Sequence, residues 1–66
     1  MTNIKIGDLV CYTSGVPVYG IIVGIDKYED DYKIFWYDLG KTYTYDRDSV
    51  ERLLLELERH IENNTQ

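Results

Sequence analysis

Two side chains in this sequence belong to types that carry out acid–base or nucleophilic catalysis near neutral pH, namely His60 and Cys11. An imidazole titrates near neutrality, and a thiol attacks as thiolate when a neighbouring base or cation lowers its pKa. His60 has no Ser or Cys at suggestive spacing, and Cys11 lies between the apolar residues Val10 and Tyr12. We therefore expect an exposed histidine at a helix end, an inert buried thiol with a raised pKa, and no catalytic residues.

Carboxylates cluster in the segment from Asp26 to Asp31, where oxygen ligands for a hard cation are available. Their spacing does not match an EF-hand loop. Structural zinc requires four Cys or His ligands, whereas the chain has one of each. Gly20 and Gly24 lie within a strand pattern and do not form a phosphate-binding loop. The prediction is a solvated acidic turn, with no metal, no cofactor and no nucleotide hydrolysis.

The composition is aromatic and acidic. Seven Tyr, one Trp and one Phe accompany twelve acidic and seven basic residues, and the net charge is −5. Nucleic-acid binders depend on clustered Lys and Arg that displace counterions, whereas the basic residues of this chain are scattered among acids. We therefore predict a protein partner, with a basic surface favoured electrostatically, and do not expect nucleic-acid binding.

The length predicts one domain, 1–66, which buries only about 60% of its unfolded surface. Domains of this size usually add disulfides, a structural metal or oligomerisation. A single cysteine excludes an internal disulfide, so a homo-oligomer is predicted. No apolar run approaches the roughly 20 residues of a membrane span, and the N terminus lacks a signal pattern. These features predict a cytoplasmic protein without membrane contact.

Short apolar runs separated by turn residues predict strands. The first lies within 7–13, the second runs from Val18 to Ile25, and the third runs from Tyr32 to Tyr37. Glycine inside a strand costs stability, so Gly20 and Gly24 predict a tight bend or the close approach of another segment. A strongly bent antiparallel sheet is therefore expected.

The segment Asp38-Leu39-Gly40 has the form of a three-residue hairpin loop, after which Lys41 to Tyr45 returns as a fourth strand. Counting back from this loop predicts the register. One face would carry Ile34 and Trp36 with two threonines, and the other would carry Phe35 and Tyr43. The predicted cross-strand pairs are Tyr37–Lys41, Trp36–Thr42, Phe35–Tyr43 and Ile34–Thr44.

The C-terminal segment changes period. Asp48 with Glu51 three residues later resembles a capping box, and an apolar stripe at helical spacing follows. The pattern predicts an amphipathic helical segment, about 48–62, with a frayed polar tail. A second interpretation makes 48–50 one helical turn and Glu51 to Leu55 a fifth strand. The residues alone favour the helix, and the fifth strand remains as the alternative interpretation. The stripe consists of Val50, Leu54, Leu57 and Ile61.

Four short motifs within about 4–54 carry a resemblance to a known family. They are Ile6-Gly7-Asp8-Leu9-Val10, Tyr19-Gly20-Ile21-Ile22-Val23, Trp36-Tyr37-Asp38-Leu39-Gly40 and Asp48-Ser49-Val50-Glu51-Arg52-Leu53. Their order resembles that of small SH3-like barrels of the Tudor- and KOW-like type, often met as short uncharacterised proteins of tailed bacteriophages.

The resemblance implies a mainly-β, strongly bent antiparallel barrel of four to five strands, the fifth following a single helical turn. It also implies binding without catalysis, in the host cytoplasm if the chain is phage-encoded. Two features depart from the family. KOW-like members that touch RNA are usually basic, whereas this chain is acidic, and its apolar C-terminal segment extends beyond a minimal barrel.

The main functional prediction is a non-catalytic protein-interaction module or a small assembly component. The stripe Val50, Leu54, Leu57 and Ile61 is predicted to form an oligomer interface, unless it and the second aromatic face cover each other within one chain. The predicted partner-binding residues are Phe35, Trp36, Tyr37, Asp38, Tyr43 and Tyr45.

Three alternatives remain open. An acidic effector could occupy a basic or nucleic-acid-binding surface of a host protein. Stacked aromatic rings could bind nucleic acid, although basic residues are few. The resemblance also implies a Tudor-like aromatic cage for methylated Lys or Arg, in which ring faces attract a cation. The cage candidates are Tyr12, Trp36, Tyr37, Tyr43 and Asp38.

Overall fold

The computed structural model describes residues 3–64 as four strands followed by one helix. The strands form one antiparallel sheet in the order β1-β2-β3-β4, each pairing with its neighbour in the chain. This confirms the predicted mainly-β architecture with a C-terminal helix. Within the described residues the outer strands do not pair with each other, so the sheet is open. The elements are β1 (Leu9–Ser14), β2 (Val16–Asp26), β3 (Asp31–Trp36), β4 (Lys41–Asp46) and α1 (Arg47–Asn64).

Strand β2 is the longest strand, and it pairs with both β1 and β3. Its register with β3 shifts between Ile22 and Gly24, which leaves Val23 without a cross-strand partner. A β-bulge of this kind bends the strand and increases its twist. The irregularity that glycine predicted in this strand is therefore a bulge beside Gly24.

Gly20 lies where β2 and β3 approach each other most closely. A Cβ atom at this position would be 2.8 Å from Cγ2 of Ile34 and 2.9 Å from Cε3 of Trp36. Any side chain would therefore displace core residues that are themselves buried. This confirms the close approach of another segment that the glycine predicted.

The β3–β4 hairpin has a four-residue loop, 37–40, and the predicted three-residue loop was wrong. Trp36 pairs with Lys41, and Ile34 pairs with Tyr43. The N–H of Gly40 donates to the carbonyl of Trp36 at 2.8 Å, and Gly40 has a φ of 65°, which glycine adopts without strain. The loop includes Tyr37 as well, so the register between β3 and β4 differs by one residue from the predicted one. The shift moves the tyrosines of β4 to the core side and its threonines to the opposite side.

Helix α1 begins at Arg47, directly after β4. The N–H of Ser49 donates to Oδ1 of Asp46 at 3.0 Å, so Asp46 is the N-cap and the predicted cap at Asp48 was wrong. Residues 51–55 lie within the helix, which excludes the fifth strand. The backbone at 63–64, predicted to fray, still belongs to α1, and residues 65–66 of the predicted tail lie outside the described range.

The core lies between the sheet and the first half of α1. Val50 and Leu53 are three residues apart, so one face of the helix presents both to the sheet. Val50 therefore packs inside its own chain, whereas Leu54 and Leu57 are half-buried and Ile61 is exposed. Among the described residues no helix is long and apolar enough to cross a membrane. The buried cluster comprises Val10, Ile22, Tyr32, Ile34, Trp36, Val50 and Leu53.

Candidate functional site

A groove of about 570 Å³ lies between α1 and the end of the sheet that carries the β1–β2 and β3–β4 turns. Because α1 packs chiefly along β1, a gap remains between the helix and the β3–β4 hairpin. β1 and the β3–β4 hairpin line two sides of the groove, and α1 lines the third. The helix contributes Ser49, Arg52, Leu53 and Glu56.

Trp36 and Tyr45 supply aromatic surface to this groove. The indole N–H of Trp36 donates to the hydroxyl of Tyr45 at 2.9 Å, and the two rings are nearly perpendicular with centroids 6.2 Å apart. Trp36 is only 5% exposed, so this bond satisfies a donor that burial would otherwise leave unpaired. The pair is therefore a fixed, apolar part of the lining.

Two large apolar side chains in the groove wall remain exposed. Tyr12 in β1 is 53% exposed, and Leu39 at the tip of the β3–β4 loop is 58% exposed. Exposed apolar groups that converge on a concave surface are typical of binding sites, because a ligand gains free energy by covering them. The groove therefore offers apolar area that the chain itself does not bury.

Charged groups accompany the apolar lining. Asp38 stands in the loop beside Leu39, while Arg52 and Glu56 come from α1. The hydroxyl of Thr13 donates to Oε2 of Glu56 at 2.6 Å, which holds this carboxylate against β1. Two acidic groups and one basic group therefore lie beside the apolar surface.

Cys11 lies on the strand that forms one wall and is completely buried. Burial, followed by the nearby Glu56 carboxylate, raises the pKa of the Cys11 thiol above its ordinary value. A thiol in this state is a poor nucleophile at neutral pH. The structure confirms the predicted buried thiol with a raised pKa.

His60 was predicted to be exposed and is instead half-buried. Its ring meets that of Tyr19 edge-on, with centroids 5.8 Å apart. Tyr19 pairs with Cys11 and so lies on the side of the sheet opposite to Val10 and the core. The end of α1 thus reaches beyond the core side of β1, which explains why this histidine loses exposure.

The acidic turn between β2 and β3 is stabilised by hydrogen bonds from its own backbone to the side chain of Asp26. Oδ1 of Asp26 accepts the N–H of Tyr28 at 3.0 Å and that of Glu29 at 3.3 Å. Asp side chains commonly stabilise turns in this way. Among the side chains that the structure describes, 3–61, no group of three His, Cys, Asp or Glu is arranged to hold a metal ion.

The structure brings together three of the six predicted partner-binding residues, since Trp36, Asp38 and Tyr45 all line the groove. Phe35 lies on the opposite side of the sheet, where Tyr37 contacts it edge-on with centroids 5.7 Å apart. Tyr43 lies on the core side of β4 but outside the groove.

Sequence reasoning missed Leu39, Arg52 and Glu56 as parts of one site. Leu39 was assigned only a turn role, although an apolar residue at a loop tip is unusual and is a usable signal of function. Arg52 and Glu56 lie four residues apart in the amphipathic segment, a spacing typical of a solvated ion pair on a helix. No feature of the sequence shows that this helix face lines the same groove as the β3–β4 loop.

No protein-family profile, curated protein or solved structure matches this chain.

Proposed function

We propose that this chain is a non-catalytic protein-interaction module whose groove receives one large apolar side chain of a partner protein, next to a basic residue of that partner. The observation that carries the proposal is the convergence of Tyr12, Leu39 and the Trp36–Tyr45 pair on one concave surface. Aromatic anchors of this kind dominate the free energy of protein interfaces.

The shape of the site favours a side chain over a flat surface. Tyr12 of β1, Leu39 of the β3–β4 loop and Leu53 of α1 line the groove from three different elements, so an inserted apolar group would contact apolar atoms on several sides. The same group would leave water on binding, which is the main source of favourable free energy.

Charge favours a basic neighbour for that side chain. Asp38 and Glu56 line the groove, and the chain as a whole carries −5. Opposite charges at the rim of an interface increase the association rate and select among partners. The partner segment is therefore proposed to combine an aromatic or aliphatic anchor with Lys or Arg.

Selection from a random peptide library displayed on phage, followed by titration of the enriched peptides in NMR spectra, tests this proposal. The expected peptides carry an apolar anchor beside a basic residue and shift the indole N–H signal of Trp36 together with signals of Tyr12 and Leu39. Enrichment of peptides that shift other signals only would overturn the proposal, as would a selection that enriches none.

A matched pair of variants sharpens this experiment. Leu39→Ser removes an apolar wall, whereas Leu55→Ser changes the same residue type at 55% exposure outside the groove. Peptide affinity should fall at least tenfold in Leu39→Ser and stay unchanged in Leu55→Ser. Equal affinities for the two variants would contradict the assignment of the groove.

A second candidate ligand is a methylated Lys or Arg side chain. The nearly perpendicular rings of Trp36 and Tyr45, with Tyr12 and Asp38 in the same lining, support it because aromatic faces and a carboxylate attract a cation. Calorimetry with matched peptides that differ only in lysine trimethylation tests it. Tighter binding of the trimethylated peptide supports the cage, and equal binding rejects it.

The fold is proposed to be a relative of the small SH3-like barrel. The sequential hairpins and the bulged second strand support this relationship. In this view α1 takes the place of the fifth strand and covers the core between β1 and β4.

A further inference from the structure

Strand β4 is an open edge of the sheet. It pairs with β3 on one side, and α1 packs chiefly along β1, at the other edge. All residues of β4 except Tyr45 are exposed. Within the described residues, no strand or helix covers the outer side of β4 along its length.

The sequence of β4 contains few of the features by which proteins protect such an edge. Natural edge strands carry proline, bulges or inward-pointing charges that prevent pairing with another chain. β4 has no proline, its register with β3 is continuous from Lys41 to Asp46, and its one core-side charge, Lys41, lies at the end of the strand. Its four central residues, Thr42 to Tyr45, are uncharged and have high β propensity.

We propose that β4 pairs antiparallel with β4 of a second copy of this chain, so that two sheets join into one of eight strands. A twofold axis normal to the sheet keeps the core sides of both copies on the same side of the joined sheet. Each residue of β4 must then face a residue an even number of positions away in the sequence, so the axis passes through a residue and not between two residues. The proposed centre is Tyr43, which faces Tyr43 of the second copy. Thr42 then faces Thr44, and Lys41 faces Tyr45.

These pairs are mutually favourable. Tyr43 is 44% exposed on the core side of β4, and its counterpart would cover it. Aromatic pairs and threonine pairs stabilise adjacent strands, and a lysine opposite Tyr45 can approach the ring face. Centring the pairing on Thr44 would instead place Thr42 opposite Asp46, whose carboxylate caps α1, and would leave Lys41 beyond the paired residues.

The assembly stops at two copies. Pairing through β4 leaves β1 as the outer strand at each end, and α1 of the same chain packs along β1. A six-residue edge is about 20 Å long, so the interface is small and belongs with reversible complexes. Tyr43 does not line the groove, so a substitution at Tyr43 tests dimerisation without changing a groove residue.

Sedimentation equilibrium of the full chain up to millimolar concentration tests the dimer. Tyr43→Lys places two cations against each other at the axis, and Tyr43→Glu places two anions there. Each variant should remain monomeric throughout, and an equimolar mixture of the two should recover association. Tyr28→Lys makes the same change at a fully exposed site in the β2–β3 turn and should associate like the original chain.

Trp36 fluorescence and the thermal midpoint verify that each variant is folded, so loss of association is not loss of structure. NMR on a mixed sample, one half isotope-labelled, should show contacts between Thr42 and Thr44 of different copies. The proposal is overturned if the original chain is monomeric at millimolar concentration. Undiminished association of Tyr43→Lys, or failure of the mixture to associate, also overturns it.

Discussion

The indole nitrogen of Trp36 lies 2.9 Å from the hydroxyl oxygen of Tyr45, although the two residues are not cross-strand neighbours. Trp36 pairs with Lys41 and Tyr45 pairs with Tyr32, so the side chains meet across Ile34–Tyr43, the one pair between them on the core side. Both must point to the core side of the sheet for this contact. A register one residue different would turn Tyr45 to the other side and remove the bond.

Tyr45→Phe should therefore destabilise the fold by about 1–3 kcal/mol, because it leaves a buried indole N–H without an acceptor. Urea unfolding followed by Trp36 fluorescence measures the change. Tyr43→Phe removes a hydroxyl from an exposed ring on the same strand and should change stability by less than about 0.5 kcal/mol. Equal losses in the two variants would show that the bond contributes nothing specific.

Gly20→Ala should destabilise the chain by about 1–3 kcal/mol, because its Cβ would overlap Ile34 and Trp36 in a filled core. Gly24→Ala is the matched control, since its Cβ would meet only the flexible side chain of Lys33 at 3.4 Å. Thermal unfolding of both variants checks the difference. A midpoint for Gly20→Ala at or above that of Gly24→Ala would contradict the close packing of β2 on β3.

Asp46→Asn should lower the thermal midpoint by a few degrees at neutral pH and have a smaller effect in acid. The hydroxyl and N–H of Ser49 and the nearby Arg52 hold the pKa of Asp46 below its ordinary value. A lowered pKa stabilises the fold above the unfolded-state pKa, and this contribution is lost as pH falls through the folded-state pKa. Asparagine is also a good N-cap, so the variant isolates the charge.

Thermal midpoints of the original chain and of Asp46→Asn between neutral and strongly acidic pH measure this effect. Asp38→Asn removes an exposed carboxylate from the β3–β4 loop, away from the helix cap, and serves as the control. A gap between Asp46→Asn and the original chain that stays constant with pH would mean that the charge of Asp46 does not stabilise the helix.

Cys11 should react slowly with iodoacetamide in the native chain at neutral pH and at an ordinary rate in denaturant. The thiol is completely buried and its pKa is raised, so access and thiolate population both limit the reaction. Mass spectrometry over time measures the rate. Glu56→Gln removes only the smaller cause of the raised pKa and should leave most of the protection in place. Fast native labelling would contradict the burial of β1 under α1.

Local patterns were sufficient to predict much of the fold. The β-branched run of β2 and the aromatic and aliphatic run of β3 predicted strands because side-chain period and propensity act within a few residues. Leucines at helical spacing likewise favoured α1 over a fifth strand. The errors concern the exact ends of elements. The β3–β4 loop includes Tyr37, and Asp46 caps the helix in place of Asp48.

The candidate site was predicted only in part. Trp36, Asp38 and Tyr45 were chosen as aromatic or acidic residues near a hairpin, and they do converge on the groove. Phe35 was chosen for the same reasons and lies on the other side of the sheet. Residue type alone does not distinguish these cases, because the side of the sheet on which a residue lies depends on the strand register.

The sequence by itself determined that the chain has strands, turns and an amphipathic helix, since each follows from contacts between residues close in the chain. Tertiary structure decided that α1 packs along β1, that a groove remains beside the β3–β4 loop, and that β4 stays open. Those outcomes depend on how apolar surfaces far apart in sequence share a small core. Thr13 and Glu56, 43 residues apart, come into contact only when α1 packs along β1.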